Sequence, residues 1–205
     1  MKILNKRRGV TLIELVVVMA IVAILALFVA PAIGEWVKNF RIRNAAREIS
    51  SDLRLAQMRG ISSGWDYAVV FNETIDGIFY TYVIFPDYHC ETCVPPMATN
   101  FILDNVNLDL DGDGTPESNE TNDIFKTMIL SAKNVRFDTN KGGGDGIEIP
   151  NNSQGKPTMR FNRRGFINYP DASIGPKQIY LRNDTRGWMI TISITGMISM
   201  QEYTP

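Results

Sequence analysis

Histidine and cysteine are nearly absent from this 205-residue chain, which has one of the former (His89) and two of the latter (Cys90 and Cys93). A single histidine excludes Ser–His–Asp triads and two-histidine metal hydrolase sites, and no other nucleophile–base arrangement is evident. Paired carboxylates stay open as a catalytic device with nothing to support them, so the chain reads as a non-enzyme. Two cysteines are too few for a disulfide scaffold. Basic residues are missing from a long stretch as well: residues 60–125 carry twelve Asp or Glu and no Lys or Arg. A stretch of that kind must be well solvated or must bind cations.

What the chain does have is an apolar run at its start. Lys2, Lys6, Arg7 and Arg8 precede it, as in the first part of an export signal, and residues 15–33 hold no charge. At 1.5 Å per residue this segment is about 28 Å long, close to the roughly 30 Å of a bilayer's hydrocarbon core. It is expected to be a spanning helix with no cleavage site behind it. Glu14, at its edge, is the odd residue, because an acid at the centre of a membrane helix costs about 2.5–3.5 kcal/mol and less near the interface. On its own it reads as an acid tolerated in the headgroup region. About 170 residues follow, enough for one domain with a real core.

The rest divides into a helix and a run of strands, an α+β plan. Ile42, Ala45, Ile49, Leu53 and Ala56 recur at three- and four-residue steps, while Arg41, Asn44, Arg47, Glu48 and Ser51 fall elsewhere. The helix is therefore expected to continue to about residue 62 and to need a sheet over its apolar stripe. Residues 65–72 alternate Trp65, Tyr67, Val69 and Phe71 on one side; Asp76-Gly77 is a turn signal, and residues 78–85 return as a second strand. Weaker strands are expected at 101–103, 124–130 and 134–137, and a flexible loop at the glycines of 142–146. Strands at 158–161, 178–182, 188–194 and 197–200 close the chain, with turns at Arg164-Gly165, Arg186-Gly187 and Thr195-Gly196.

Asp109-Leu110-Asp111-Gly112-Asp113-Gly114-Thr115-Pro116-Glu117-Ser118-Asn119-Glu120 fits the whole EF-hand loop template. Asp109, Asp111 and Asp113 would turn carboxylates inward, Thr115 would offer its carbonyl, and Glu120 would close a Ca²⁺ site, with Glu117 adding charge. The bland reading is an acidic surface turn, since flanking helices are not evident and Pro116 is unusual there.

The segment Gly9-Val10-Thr11-Leu12-Ile13-Glu14 resembles the type IV prepilin signal. The resemblance implies that a membrane-embedded prepilin peptidase cuts after Gly9 and methylates the new terminus at Val10. Phenylalanine is usual after the cut, and Val10 is a conservative departure from it. It further implies that Glu14 pairs with the terminal amine of a neighbouring subunit during filament assembly, and that Met1 is cytoplasmic and the domain periplasmic. Pro31, expected to kink or locally loosen the helix, fits as well. Losing residues 1–9 moves the formal net charge from −1 to −5.

Residues 49–59 leading into 67–71, and the endings at 159–165, 179–181 and 190–196, resemble GspH/FimT-type minor pseudopilins; residues 85–157 have no counterpart in that pattern. The implied organisation is a leader at 1–9, a transmembrane helix at 10–34, its amphipathic continuation at 35–64 and a periplasmic β-rich domain at 65–205. The implied function is structural: a pilin or pseudopilin, held in the inner membrane and then assembled with other pilins into a type IV pilus or a type II secretion pseudopilus. In an oxidising periplasm Cys90 and Cys93 would form a small-ring disulfide; a zinc site would need more ligands. The alternative is DNA binding during uptake, with phosphate contacts from Arg160, Arg163, Arg164, Lys177, Arg182 and Arg186. The net charge of −5 and a tail at 201–205 with no basic residue argue against it.

Overall fold

The computed structural model describes residues 10–75, 77–87, 124–130 and 134–205, with the side chains of 27–32 outside that description. The chain divides into two compact units, Met1–Phe40 and Arg41–Pro205. One helix, α1 (Leu12–Ser63), contributes to both and runs through Pro31 without a break in its assignment. In the first unit its described side chains from Leu12 to Leu25 are exposed and, apart from Glu14, apolar, and Trp36 stacks on Phe40 with ring centroids 5.5 Å apart. Among the described residues no helix is long and apolar enough to cross a membrane. The described residues therefore do not by themselves show the expected span at 10–34.

In the second unit α1 buries the stripe that its spacing predicts. Ile42, Ala45, Ile49, Leu53 and Ala56 are at most 5 % exposed, joined by Ala46. Each fully buried Ile or Leu contributes about 1.5–3 kcal/mol.

Two antiparallel sheets supply the other side of this core. The first has the order β3-β2-β1-β5-β6, from β1 (Asp66–Ile75), β2 (Ile78–Asp87), β3 (Lys126–Met128), β5 (Thr158–Phe161) and β6 (Ile167–Asn168). The second has the order β4-β7-β8-β9, from β4 (Arg136–Phe137), β7 (Lys177–Arg182), β8 (Gly187–Ile192) and β9 (Ile198–Tyr203). Val69, Phe71, Tyr82, Ile84, Met159 and Phe161 of the first sheet and Ile179, Leu181, Ile190, Ile192 and Ile198 of the second share one core with the helix.

The expected strands are all present where residues are described, with β6 as an addition and 101–103 outside the described residues. β1 and β2 are longer than their alternation suggests, pairing from Asp66↔Asp87 to Ile75↔Ile78. Pro86 is tolerated because β3 reaches only Tyr82, Val83 and Ile84 on that side of β2. Both faces of this hairpin are covered. Ala68, Val70, Val83 and Phe85 form a second buried cluster, which is why the strand reads as a near-continuous apolar run rather than a clean alternation.

Two glycine expectations need correction. The segment at 142–146 is a turn packed at its two ends, not a loop free throughout: a Cβ on Gly142 would lie 2.4 Å from Ile147 N and one on Gly146 2.8 Å from Asp138 N, and the Gly146 carbonyl accepts the Tyr180 N–H at 2.7 Å. Gly187 belongs to β8 rather than to a turn. It lies under the Tyr203 ring, which would be 2.4 Å from any Cβ.

Candidate functional site

The processing segment ends where α1 begins. Thr11 caps the helix: its Oγ1 accepts the Glu14 N–H at 3.3 Å, and its carbonyl accepts the Leu15 N–H at 3.2 Å. Thr-x-x-Glu is the capping-box pattern, and an acid in the first turn also suits the positive end of the helix dipole. Glu14 thus stands where the helix dipole favours a carboxylate. Val10 is 73 % exposed immediately before the cap. Gly9 lies outside the described residues. The exposed apolar side chains that follow form a surface larger than soluble monomers carry, and such surfaces mark contact with membrane or protein.

The six C-terminal basic residues proposed for phosphate do not form one free patch. Arg160 is buried, with Nε 3.3 Å from Asp66 and Nη1 3.2 Å from Asp87. Arg182 Nη1 is 3.4 Å from Asp138, and Arg186 Nη1 is 2.5 Å from Glu202. Lys177 Nζ stands 5.6 Å over the Tyr169 ring. Arg163 and Arg164 are exposed, and among the described residues neither guanidinium has a carboxylate partner. Those two line a cleft of about 460 Å³ together with Trp65, Asp66, Asp87 and Arg160. Trp65, expected on a sheet face or in the core, is 47 % exposed there.

Two polar centres escaped the sequence reading. Asp52, 4 % exposed on the buried side of α1, accepts the Tyr82 hydroxyl at 2.6 Å and pairs with Lys126 Nζ at 2.6 Å. Burial, reinforced by the bond to Asp52, pushes the Tyr82 hydroxyl's pKa far up, so it stays a donor. The signal was present in the sequence, since position 52 follows Ile49 by three and precedes Ala56 by four, on the apolar stripe itself. Asp138, 1 % exposed, accepts the Tyr203 hydroxyl at 2.7 Å, the Asn140 N–H at 3.2 Å and Arg182 Nη1 at 3.4 Å. Burial works against its charge, but those donors outweigh it and hold the carboxyl below its ordinary value. Tyr203 is raised by burial and by the same Asp138. Both centres join separate elements, and neither Asp52 nor Asp138 lines the cleft at Arg163 and Arg164, which fits a structural role.

Asp109, Asp111, Asp113, Thr115, Glu117 and Glu120 lie outside the described residues, as do His89, Cys90 and Cys93. Among the described residues no group of three or more His, Cys, Asp or Glu is placed to hold a metal ion.

Comparison with known proteins bears on the first of these sites. The family described as the prokaryotic N-terminal methylation motif matches residues 4–30. That segment carries the N-terminal methylation motif of type IV pilin-like prepilins, and it runs from before the Gly9-Val10 junction into α1. No curated protein and no solved structure matches the chain.

Proposed function

We propose that this protein is a structural minor pilin or pseudopilin of the GspH/FimT type, a subunit of a type IV pilus or a type II secretion pseudopilus, and not an enzyme. The observation that carries the reading is the junction of a methylation-type N-terminus with a helix whose far half is the core of a β domain. Prepilin peptidase cleaves between Gly9 and Val10 and methylates Val10. The helix holds the precursor as a single pass in the inner membrane, N-terminus cytoplasmic and β domain periplasmic, until it packs with other pilins.

Glu14 has a physical reason to pair with a terminal amine. The new ammonium at Val10 would sit at the positive end of the helix dipole and in or near lipid, where both terms disfavour it. A carboxylate stripped of water gains most from such a partner. We further propose that Asp109, Asp111, Asp113, the Thr115 carbonyl, Glu117 and Glu120 bind Ca²⁺, relieving repulsion among the twelve acids of residues 60–125.

Mass spectrometry of the protein from cells with an active prepilin peptidase should find an N-methylated Val10 terminus. Changing Gly9 to a bulky residue should leave the full-length precursor. An intact Met1 terminus in the wild type would sink the reading.

The second reading, DNA binding, has the exposed pair Arg163 and Arg164 in its favour. The carboxylate partners of Arg160, Arg182 and Arg186 weigh against a continuous phosphate track.

A further inference from the structure

After α1 the chain turns through Gly64 and Trp65 into β1, meeting the end of β2 at Asp87 and the turn between β5 and β6. These three places enclose the cleft of about 460 Å³, a size ordinary for small-ligand sites. Its charges are unevenly committed. Asp66 accepts from Arg160 and from the Arg163 backbone N–H at 3.1 Å, while Asp87 pairs with Arg160 at 3.2 Å. Both acids are thus held by donors of the same wall.

The Arg163 and Arg164 side chains differ from the other arginines of this region. Arg136, Arg160, Arg182 and Arg186 each have a carboxylate within ion-pairing distance, whereas among the described residues these two have none. The turn that presents them is fixed, since Asn162 Oδ1 accepts the Arg164 N–H at 2.9 Å and the Phe166 N–H at 3.1 Å. Beside them the half-exposed Trp65 ring offers a flat apolar wall.

We propose that this cleft is a docking site for a carboxylate-bearing peptide segment of a neighbouring subunit. Arg163 and Arg164 grip one Asp or Glu carboxylate, and Trp65 packs against the residue next to it. Arginine suits the task because its planar fork matches a carboxylate bidentately. Among the described residues the local excess, three arginines against two aspartates, fits a single anionic group. It does not fit a polyanion, which would also meet Asp66, Asp87 and a net charge of −5 on the mature chain. The proposal deepens the filament reading by naming a subunit contact, yet its test does not depend on N-terminal processing.

The experiment uses the full chain in detergent micelles and fluorescence anisotropy. The probes are a labelled short peptide with one glutamate among apolar residues, the same peptide with glutamine, and a labelled single-stranded oligonucleotide. The glutamate peptide should bind about 10-fold more tightly than the glutamine peptide. The double variant Arg163→Glu, Arg164→Glu should erase that preference with an unchanged melting temperature, because both side chains are exposed. Trp65→Ala should weaken both peptides alike. Any other pattern overturns the proposal: equal binding of the two peptides, no binding of either, a preference that survives the double variant, or an oligonucleotide that binds more tightly than the glutamate peptide.

Discussion

Asp52 is the residue on which the helix–sheet contact turns. It is an acid in an otherwise apolar stripe, and it satisfies Tyr82, which is fully buried, and Lys126, whose side chain is about a third exposed (36 %). The two partners should therefore respond differently to mutation. Asp52→Ala leaves a buried hydroxyl without an acceptor and should cost about 2–3 kcal/mol. Lys126→Met loses a contact already shared with water and should cost less than about 1 kcal/mol. Urea unfolding midpoints of the two variants would check the ranking; equal losses would mean that the ion pair, and not the tyrosine bond, matters.

Asp138 makes a prediction about acid. Its folded pKa lies below its unfolded value, so its contribution is fully present above the ordinary carboxylate range and is lost as pH falls through the folded value. Asp171, where burial is likewise outweighed by bonds from Ser173 and the charge of Lys177, adds to the same trend. Stability should fall between neutral pH and about pH 3, and Asp138→Asn should be less stable at neutral pH with a shallower fall. Urea midpoints across that range give the slope. A variant slope equal to the wild type's would remove Asp138 from the account.

At the scale of elements, α1 is the part most legible in the sequence. Its stripe at residues 42–56 has helical period, and the residues expected to face away, Arg41, Asn44, Arg47, Glu48 and Ser51, are exposed. The long β1–β2 hairpin was legible for the same reason, through an apolar run broken by Asp-Gly. β6 was not, because two residues carry no period. The glycines at 142–146 misled because composition alone reports freedom, whereas their packing depends on β7, distant in sequence. The arginine cleft was half legible: the residues stood out, but which had found acids depended on Asp66, Asp87, Asp138 and Glu202, brought close only by folding.

The start of α1 carries its own prediction. Glu14→Ala removes a charge from an apolar helix and should still reach the membrane. It also removes an acid that the helix dipole favours, a loss of about 0.3–1 kcal/mol at a helix end that Thr11 still caps. The variant should therefore be stable in cells but scarce in sheared filament fractions. Normal incorporation at native expression would show that the carboxylate is not needed between subunits.

For the molecule as a whole, the uneven charge makes stability a question of ions. If the loop at 109–120 binds Ca²⁺ with a Kd of about 10⁻⁴–10⁻³ M, ten times that concentration adds about 1.4 kcal/mol. The melting temperature should rise by roughly 3–5 °C over EDTA, and less with Mg²⁺. Asp111→Ala with Asp113→Ala should abolish the difference. An unchanged melting temperature in millimolar Ca²⁺ would reduce the loop to an acidic turn.

The helical stripe from Ile42 to Ala56 also determines how the β domain bears load. Any pull delivered along α1, as when a subunit is drawn out of a membrane, reaches the domain through side chains spread over about 21 Å of helix. They are loaded side by side, in shear, rather than one after another as in the peeling of a hairpin. Arg54, donating to the Ile198 carbonyl at 3.0 Å, and Gln57, donating to the Gly165 carbonyl at 2.9 Å, resist the same sliding from the start of β9 and from the β5–β6 turn. A domain threaded on its own tow line in this way must yield many contacts at once before it yields any, and its mechanical strength along the helix should exceed what its thermal stability alone would suggest.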